Sequence, residues 1–153
     1  MIFRPVLAFA LLMFSASGAL AQNFEMFGAD GDTCVEDFRA APAVRAGDFV
    51  YISGVVGYIR KSEERTPEAY EAGIRDAMQR VEDALAPAGA DWGDVIEMTT
   101  FHVDMRAHQE IFRTVREEFI TDKPYPAWTG IGVEKLWADS LFVEIRVVAY
   151  VGE

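Results

Sequence analysis

An α+β fold, one mixed sheet with two helices on a single face, is predicted by three features of this 153-residue chain. Two segments carry apolar residues at helical spacing, β-branched and aromatic runs stand between and after them, and a strongly alternating strand closes the sequence. Two helices can cover only one face of one sheet, yet the closing strand is apolar on both faces. The uncovered face therefore calls for a second copy of the chain.

Residues 1–21 stand outside this unit. Arg4 precedes the apolar run Pro5–Phe14 and the small-residue site Ala19-Leu20-Ala21, the pattern of a secretory signal peptide cleaved before Gln22. The run is shorter than the ~20 residues of a spanning helix, and no later segment is apolar enough to cross a bilayer. The mature chain is therefore expected in the periplasm or outside the cell, with no membrane partner after cleavage. Residues 22–40 form an expected leader: Gln22–Phe38 is rich in Gly, Asp and polar residues and reads as exposed, with little regular structure. It holds the single cysteine, Cys34, which excludes an internal disulfide and lies in no nucleophile motif.

The domain is expected over residues 41–153. Ala43–Arg45, the Gly47-Asp48 turn and Phe49–Val56 read as a hairpin, and Lys61–Arg65 as a charged loop. Thr66-Pro67-Glu68 is a helix start, with a capping hydroxyl, Pro at the first helical position and an early carboxylate. Tyr70, Ile74, Ala77, Met78, Val81 and Leu85 then form one apolar stripe until Pro87 and Gly89 end it. Asp91–Asp94 turns the chain into the strand Val95–Val103. Asp104 caps a second helix, Arg106–Ile120, whose stripe is Ile111, Phe112, Val115 and Phe119. After the stiff Lys123–Pro126 connection come strands Trp128–Val133 and Leu141–Val151.

In the last strand Leu141, Val143, Ile145, Val147 and Ala149 share one face, and Phe142, Glu144, Arg146, Val148 and Tyr150 the other. Glu144 and Arg146 are the candidate functional charges, because a charge among apolar neighbours is costly unless it is paired or used. His102 lies mid-strand on the parity of Ile96, Met98 and Thr100, as an interior hydrogen-bonded residue or, if it reaches Glu144, a proton shuttle. His108, beside charged neighbours, reads as surface, and Arg113–Glu118 as a solvated helix face. No metal motif and no phosphate-cradling loop is present, so no cofactor is implied. The balance of 51% hydrophobic and 25% charged residues is that of a folded domain, while a net charge of −11 disfavours nucleic acid as a partner.

Three stretches, APAVRAGDFVYISGVVG (41–57), AGADWGDVIEMTTFHVDM (88–105) and YPAWTGIGVEKLWADSLFVEIRVVAY (125–150), resemble the RidA/YjgF family of small trimeric enamine/imine deaminases. The likeness runs from about Ala41 to Val151. It implies a chorismate-mutase-like fold and a homotrimer with a small-molecule cleft at each subunit interface. Glu144 aligns with the carboxylate that directs the attacking water. Ser53 and Gly54 align with a Ser-Gly pair whose hydroxyl and backbone N–H groups face the ligand, and Arg146 would share that interface.

Four positions depart from the family pattern. Trp128 stands where deaminating members have the Arg that clamps the substrate carboxylate, Val55 replaces Gln, Ala40 a substrate-contacting Tyr, and Phe112 an interface Asn. Indole cannot form the two parallel hydrogen bonds of a guanidinium. Trp128 instead offers a flat face for an aromatic, apolar or cationic ligand, or it fills the cleft. The resemblance thus implies a hydrolase of small imines, enamines or related C–N compounds other than the usual 2-imino acids. The alternatives are a non-catalytic small-molecule-binding trimer and a holdase.

Overall fold

The computed structural model describes residues 24–27 and 33–152. Its elements are β1 (Phe24–Phe27), α1 (Thr33–Phe38), β2 (Ala43–Ala46), β3 (Phe49–Ile52), β4 (Val55–Tyr58), α2 (Pro67–Leu85), β5 (Val95–Val103), α3 (Met105–Phe119), β6 (Ala127–Val133) and β7 (Leu141–Tyr150). The strands form one sheet in the order β1-β2-β3-β7-β5-β6, with β4 also paired to β7. Only β5 and β6 run parallel, so the sheet is mixed.

Both helices pack on the same face, as the two apolar stripes require. In α2 the Thr66 hydroxyl accepts the Ala69 N–H at 3.2 Å, and Tyr70, Ile74, Ala77, Met78, Val81 and Leu85 are all buried. Asp104 precedes α3 in a left-handed conformation, φ 51°. The helix-side core is completed by Val50, Ile52, Met98, Ile145, Val147 and Ala149 from the strands. At Gly73 the helix comes so close to the sheet that an added Cβ would lie 2.8 Å from the Phe142 ring and 2.9 Å from the Tyr58 carbonyl oxygen.

Four differences from the sequence reading have physical causes. The expected strand Phe49–Val56 is two strands, β3 and β4, which pair with the two halves of β7 and leave Ser53-Gly54 as a break between them. Phe142 is the extra residue of a bulge, because Gly57 pairs with Val143 while Tyr58 pairs with Leu141. The bulge turns Phe142 from the expected Glu144 face to the helix side, where its ring meets Tyr70 and His108. A second register shift, between Val95 and Glu97, leaves Ile96 46% exposed although Met98 and Thr100 are buried.

The fourth difference is the leader. Phe24–Phe27 extends the sheet edge by pairing with β2, and Thr33–Phe38 forms a short helix, although the side chains of both that are described are largely exposed. The expected signal peptide lies outside the described residues. Among those described, no helix is long and apolar enough to cross a membrane.

Candidate functional site

Polar side chains gather on both faces of the sheet, and the register decides which residues meet. On the face without helices, Glu144 pairs with Val56 of β4 and Phe101 of β5. Its carboxylate lies across the β3–β4 break: a Cβ on Gly54 would stand 2.0 Å from Glu144 Oε1 and 2.8 Å from the carboxyl carbon. Gly54 and Glu144 are thus neighbours across the β4–β7 pairing. Absence of a side chain at Gly54 is what gives the carboxylate its place.

Ser53 is adjacent but differently employed. Its N–H donates to the Pro42 carbonyl at 2.9 Å and its hydroxyl to the Ala41 carbonyl at 2.7 Å. With both donors used within the chain, Ser53 offers a ligand only its oxygen lone pairs. Arg146 is half-exposed and lies 4.0 Å from Glu97, whose carboxylate also accepts the Thr99 hydroxyl. Among the described residues, no ion pair reaches Glu144. Around these groups the face is apolar: Phe49, Tyr51, Ile131 and Tyr150 are each about two-fifths exposed.

The helix-side face holds the other candidates. Trp128 pairs with Met98 in the parallel β5–β6 register, and its indole N–H donates to the Thr100 hydroxyl at 2.9 Å. Thr100 is 2.8 Å from His102 Nε2, and His102 Nδ1 is 3.0 Å from His108 Nε2. His108 in turn stacks on Tyr70, ring centroids 4.9 Å apart. Thr100, His102 and His108 are each no more than 1% exposed. Burial pushes both imidazoles down to about 4, the neighbouring His108 adding to the effect on His102.

This placement corrects two expectations. His108 is a core residue, not a surface one, because it continues the buried α3 stripe of Phe112 and Val115. His102 is the interior hydrogen-bonded residue: it points away from Glu144 through the sheet, so the expected proton exchange between them has no path within one chain. Phe112, a candidate ligand contact, is 1% exposed and packs instead against Trp128 and His102.

Trp128 borders a cavity of about 310 Å³ whose walls include Met98, Ile120 and Pro126, with Arg116 and Glu117 at its polar side. The Arg116 guanidinium lies 4.1 Å over the indole. Reading Arg113–Glu118 as a solvated face missed Arg116. The available signal was its spacing four residues after Phe112, which places both on the same side of α3.

The Endoribonuclease L-PSP family profile matches residues 37–151. RutC family protein YjgH of Escherichia coli (strain K12) is 33% identical over 135 residues, spanning 88% of this chain and 99% of that protein. The chain belongs to the RidA/YjgF family. A solved structure of protein YjgH superposes with a TM-score of 0.64 at 34% identity, covering 78% of this chain and 88% of that one. The crystal structure of Rv2704 from Mycobacterium tuberculosis, also of the YjgF family, gives 0.70 at 28% identity over 84% and 99% of the two chains. Reactive Intermediate Deaminase A of Arabidopsis thaliana, a chloroplast protein, is 27% identical over 85 residues, 56% of this chain and 43% of that one. The α+β sheet and its two packed helices are therefore those of the YjgF fold. Functional names within the family differ, so the site residues must carry the argument for activity.

Proposed function

We propose that this protein is a hydrolytic deaminase of small imines, enamines or related C–N compounds, exported and working as a homotrimer with its site between two copies. The observation that carries the reading is the Glu144 carboxylate, held over Gly54 on an apolar sheet face and free of any ion pair among the described residues. Imine hydrolysis needs water to add to carbon, a proton to reach nitrogen and ammonia to leave. One carboxylate can take the proton from water and return it to nitrogen. The exposed aromatic and aliphatic residues around Glu144 supply a surface for a second copy, which would exclude bulk water from the reaction.

Within one chain Trp128 and Glu144 lie on opposite faces of the sheet, so a cleft containing both needs Trp128 from a neighbouring copy. Trp128 itself has no carboxylate-binding fork, which supports substrates other than 2-imino acids for that cleft unless Arg116, 4.1 Å over the indole, takes that role. A net charge of −11 argues against a polyanionic substrate.

The test is ammonia release from imines generated in place, with and without a carboxylate, beside Glu144→Gln. Turnover of uncharged imines that disappears in the variant is expected. Release equal to the uncatalysed rate across the panel would overturn the reaction. One observation favours a second reading, a non-catalytic small-molecule-binding trimer: both Ser53 donors are already used within the chain. Saturable ligand binding with no product would identify that case.

A further inference from the structure

The contacts from Trp128 to His108 leave little freedom in where their hydrogens lie. They measure 2.9 Å from the indole Nε1 to the Thr100 hydroxyl, 2.8 Å from that hydroxyl to His102 Nε2, and 3.0 Å from His102 Nδ1 to His108 Nε2. Each contact holds one hydrogen, and the indole can only donate. With both rings neutral, the Thr100 O–H points to His102 Nε2, the His102 Nδ1–H points to His108 Nε2, and His108 keeps its remaining hydrogen on Nδ1. That nitrogen faces the main chain of Asp104, one turn earlier, without completing a hydrogen bond. The opposite sense strands the hydrogen of Thr100, a side chain fully buried and with no other acceptor among the described residues.

In this arrangement no ring nitrogen is left vacant, so a proton enters only by reversing the contacts. A proton on His102 sits on Nε2. A proton on His108 makes its Nε2 a donor to His102 Nδ1, which moves the His102 hydrogen to Nε2 as well. Either way Thr100 now receives N–H groups from both His102 and Trp128, and its own hydrogen has no acceptor. One contact must yield. Thr100, His102 and His108 are no more than 1% exposed, whereas Trp128 is 38% exposed, so the indole is the member able to exchange its bond for water.

We propose that Thr100, His102 and His108 form a proton-operated latch, in which acid reverses the Thr100 hydroxyl and unhooks the Trp128 indole from β5. Few charges face the pair. Asp104 favours a proton on His108 and Arg65, from the loop before α2, opposes it, while α2 presents Tyr70, β7 Phe142 and β6 the main chain of Gly132. Burial holds both rings at about 4, so the latch is closed at neutral pH. Arg116 lies at the other end, 4.1 Å over the indole. Unhooked, the indole keeps its stacking on Phe112 and Arg116 but loses the bond that fixes its rotation, and the cavity it borders changes shape with acid. The latch lies on the sheet face opposite the Glu144 of the same chain, so it does not rest on imine hydrolysis.

Heteronuclear NMR of the full chain, labelled at the tryptophan and histidine nitrogens and titrated from about pH 7 to about pH 3.5, tests this. The Trp128 indole resonance, assigned by its loss in Trp128→Phe, is expected to shift with the same midpoint as the ring nitrogens of His102 and His108. Thr100→Val removes the hydroxyl, so the indole should stand at its acid position already at neutral pH and no longer respond while the histidines still titrate. A Trp128 resonance that stays in place while the rings of the unmodified chain titrate would overturn the latch. So would collapse of the spectrum before either ring takes up a proton, since the latch has to work in the folded chain. An indole shift that persists in a folded Thr100→Val protein would overturn the route through Thr100.

Discussion

The two faces of the sheet treat their polar groups in opposite ways. On the helix side Trp128, Thr100, His102 and His108 are linked by three contacts of 2.8–3.0 Å, and the last three are shut away from water. On the other side the Glu144 carboxylate rests over a glycine, partly buried and unpaired among the described residues. The contrast separates structure from chemistry. Histidine is the usual proton carrier near neutral pH, but here both imidazoles are held neutral by burial and serve to fix α3 against β5. The group left within reach of water is the carboxylate.

The largest effect should come from breaking the chemical face. Glu144→Gln keeps the shape and removes the base, so turnover of an accepted imine should fall by about 10²-fold or more. Unfolding free energy should stay within about 0.5 kcal/mol of the parent, since Glu144 closes no described ion pair. Urea unfolding beside the ammonia assay checks both. A stability loss as large as the activity loss would return Glu144 to a structural role.

Acid should break the other face. Both histidines titrate lower in the folded chain, about 4, than their ordinary value of 6.5, so between these values the unfolded chain binds more protons. Stability is therefore full above about pH 6.5 and is lost as pH falls toward 4. One histidine contributes a loss of about 3 kcal/mol over that window, and the two are too close to be summed. Urea midpoints at pH 7 and pH 4.5 measure it. His108→Phe should flatten the slope while lowering stability at pH 7, because His102 Nδ1 loses its partner. An unchanged slope would show that other groups govern the acid limb.

A single methyl sharpens the comparison. Gly73→Ala drives a Cβ against the Phe142 ring and a backbone carbonyl, neither of which can swing away, and should cost about 2 kcal/mol. Gly54→Ala meets first the Glu144 side chain, from its Oε1 back to Cγ, which can rotate aside. Stability should then change by less than about 1 kcal/mol while turnover falls, because the carboxylate is displaced. Thermal melts and ammonia release on the two variants should give opposite orders. The same order in both assays would mean that the faces are not independent.

Much of this division is written in local pattern. Thr66-Pro67 and the stripe from Tyr70 to Leu85 specify α2, and Val95–Val103 is bounded as its β-branched run suggests, because short-range geometry settles both. What escapes is set by pairing. Alternation along the last strand gives Phe142 to the Glu144 face, and only the bulge opposite Gly57 and Tyr58 turns it inward. His108 hides among charged neighbours, yet it lies four residues before Phe112 and continues that stripe. Resemblance identifies Trp128 as a departure, but its face follows from its parallel pairing with Met98. Glu144 and Gly54 are 90 residues apart in sequence, and the β4–β7 register brings them together.

The smallest expected effect tests whether every charge on the open face is functional. Arg146 shares that face with Glu144, but it stands half-exposed at 4.0 Å from Glu97, the limit of an ion pair. Such a pair in water is worth about 0.5 kcal/mol or less. Arg146→Gln should therefore barely move the urea midpoint. Its effect on turnover is informative because Glu144 and Arg146 lie two residues apart on one strand. If the guanidinium only balances Glu97, turnover should change less than about three-fold, and added salt should mimic the substitution. A ten-fold rise in KM at constant kcat would show that Arg146 holds substrate in the ground and transition states alike, and would extend the site from Gly54 and Glu144 along β7.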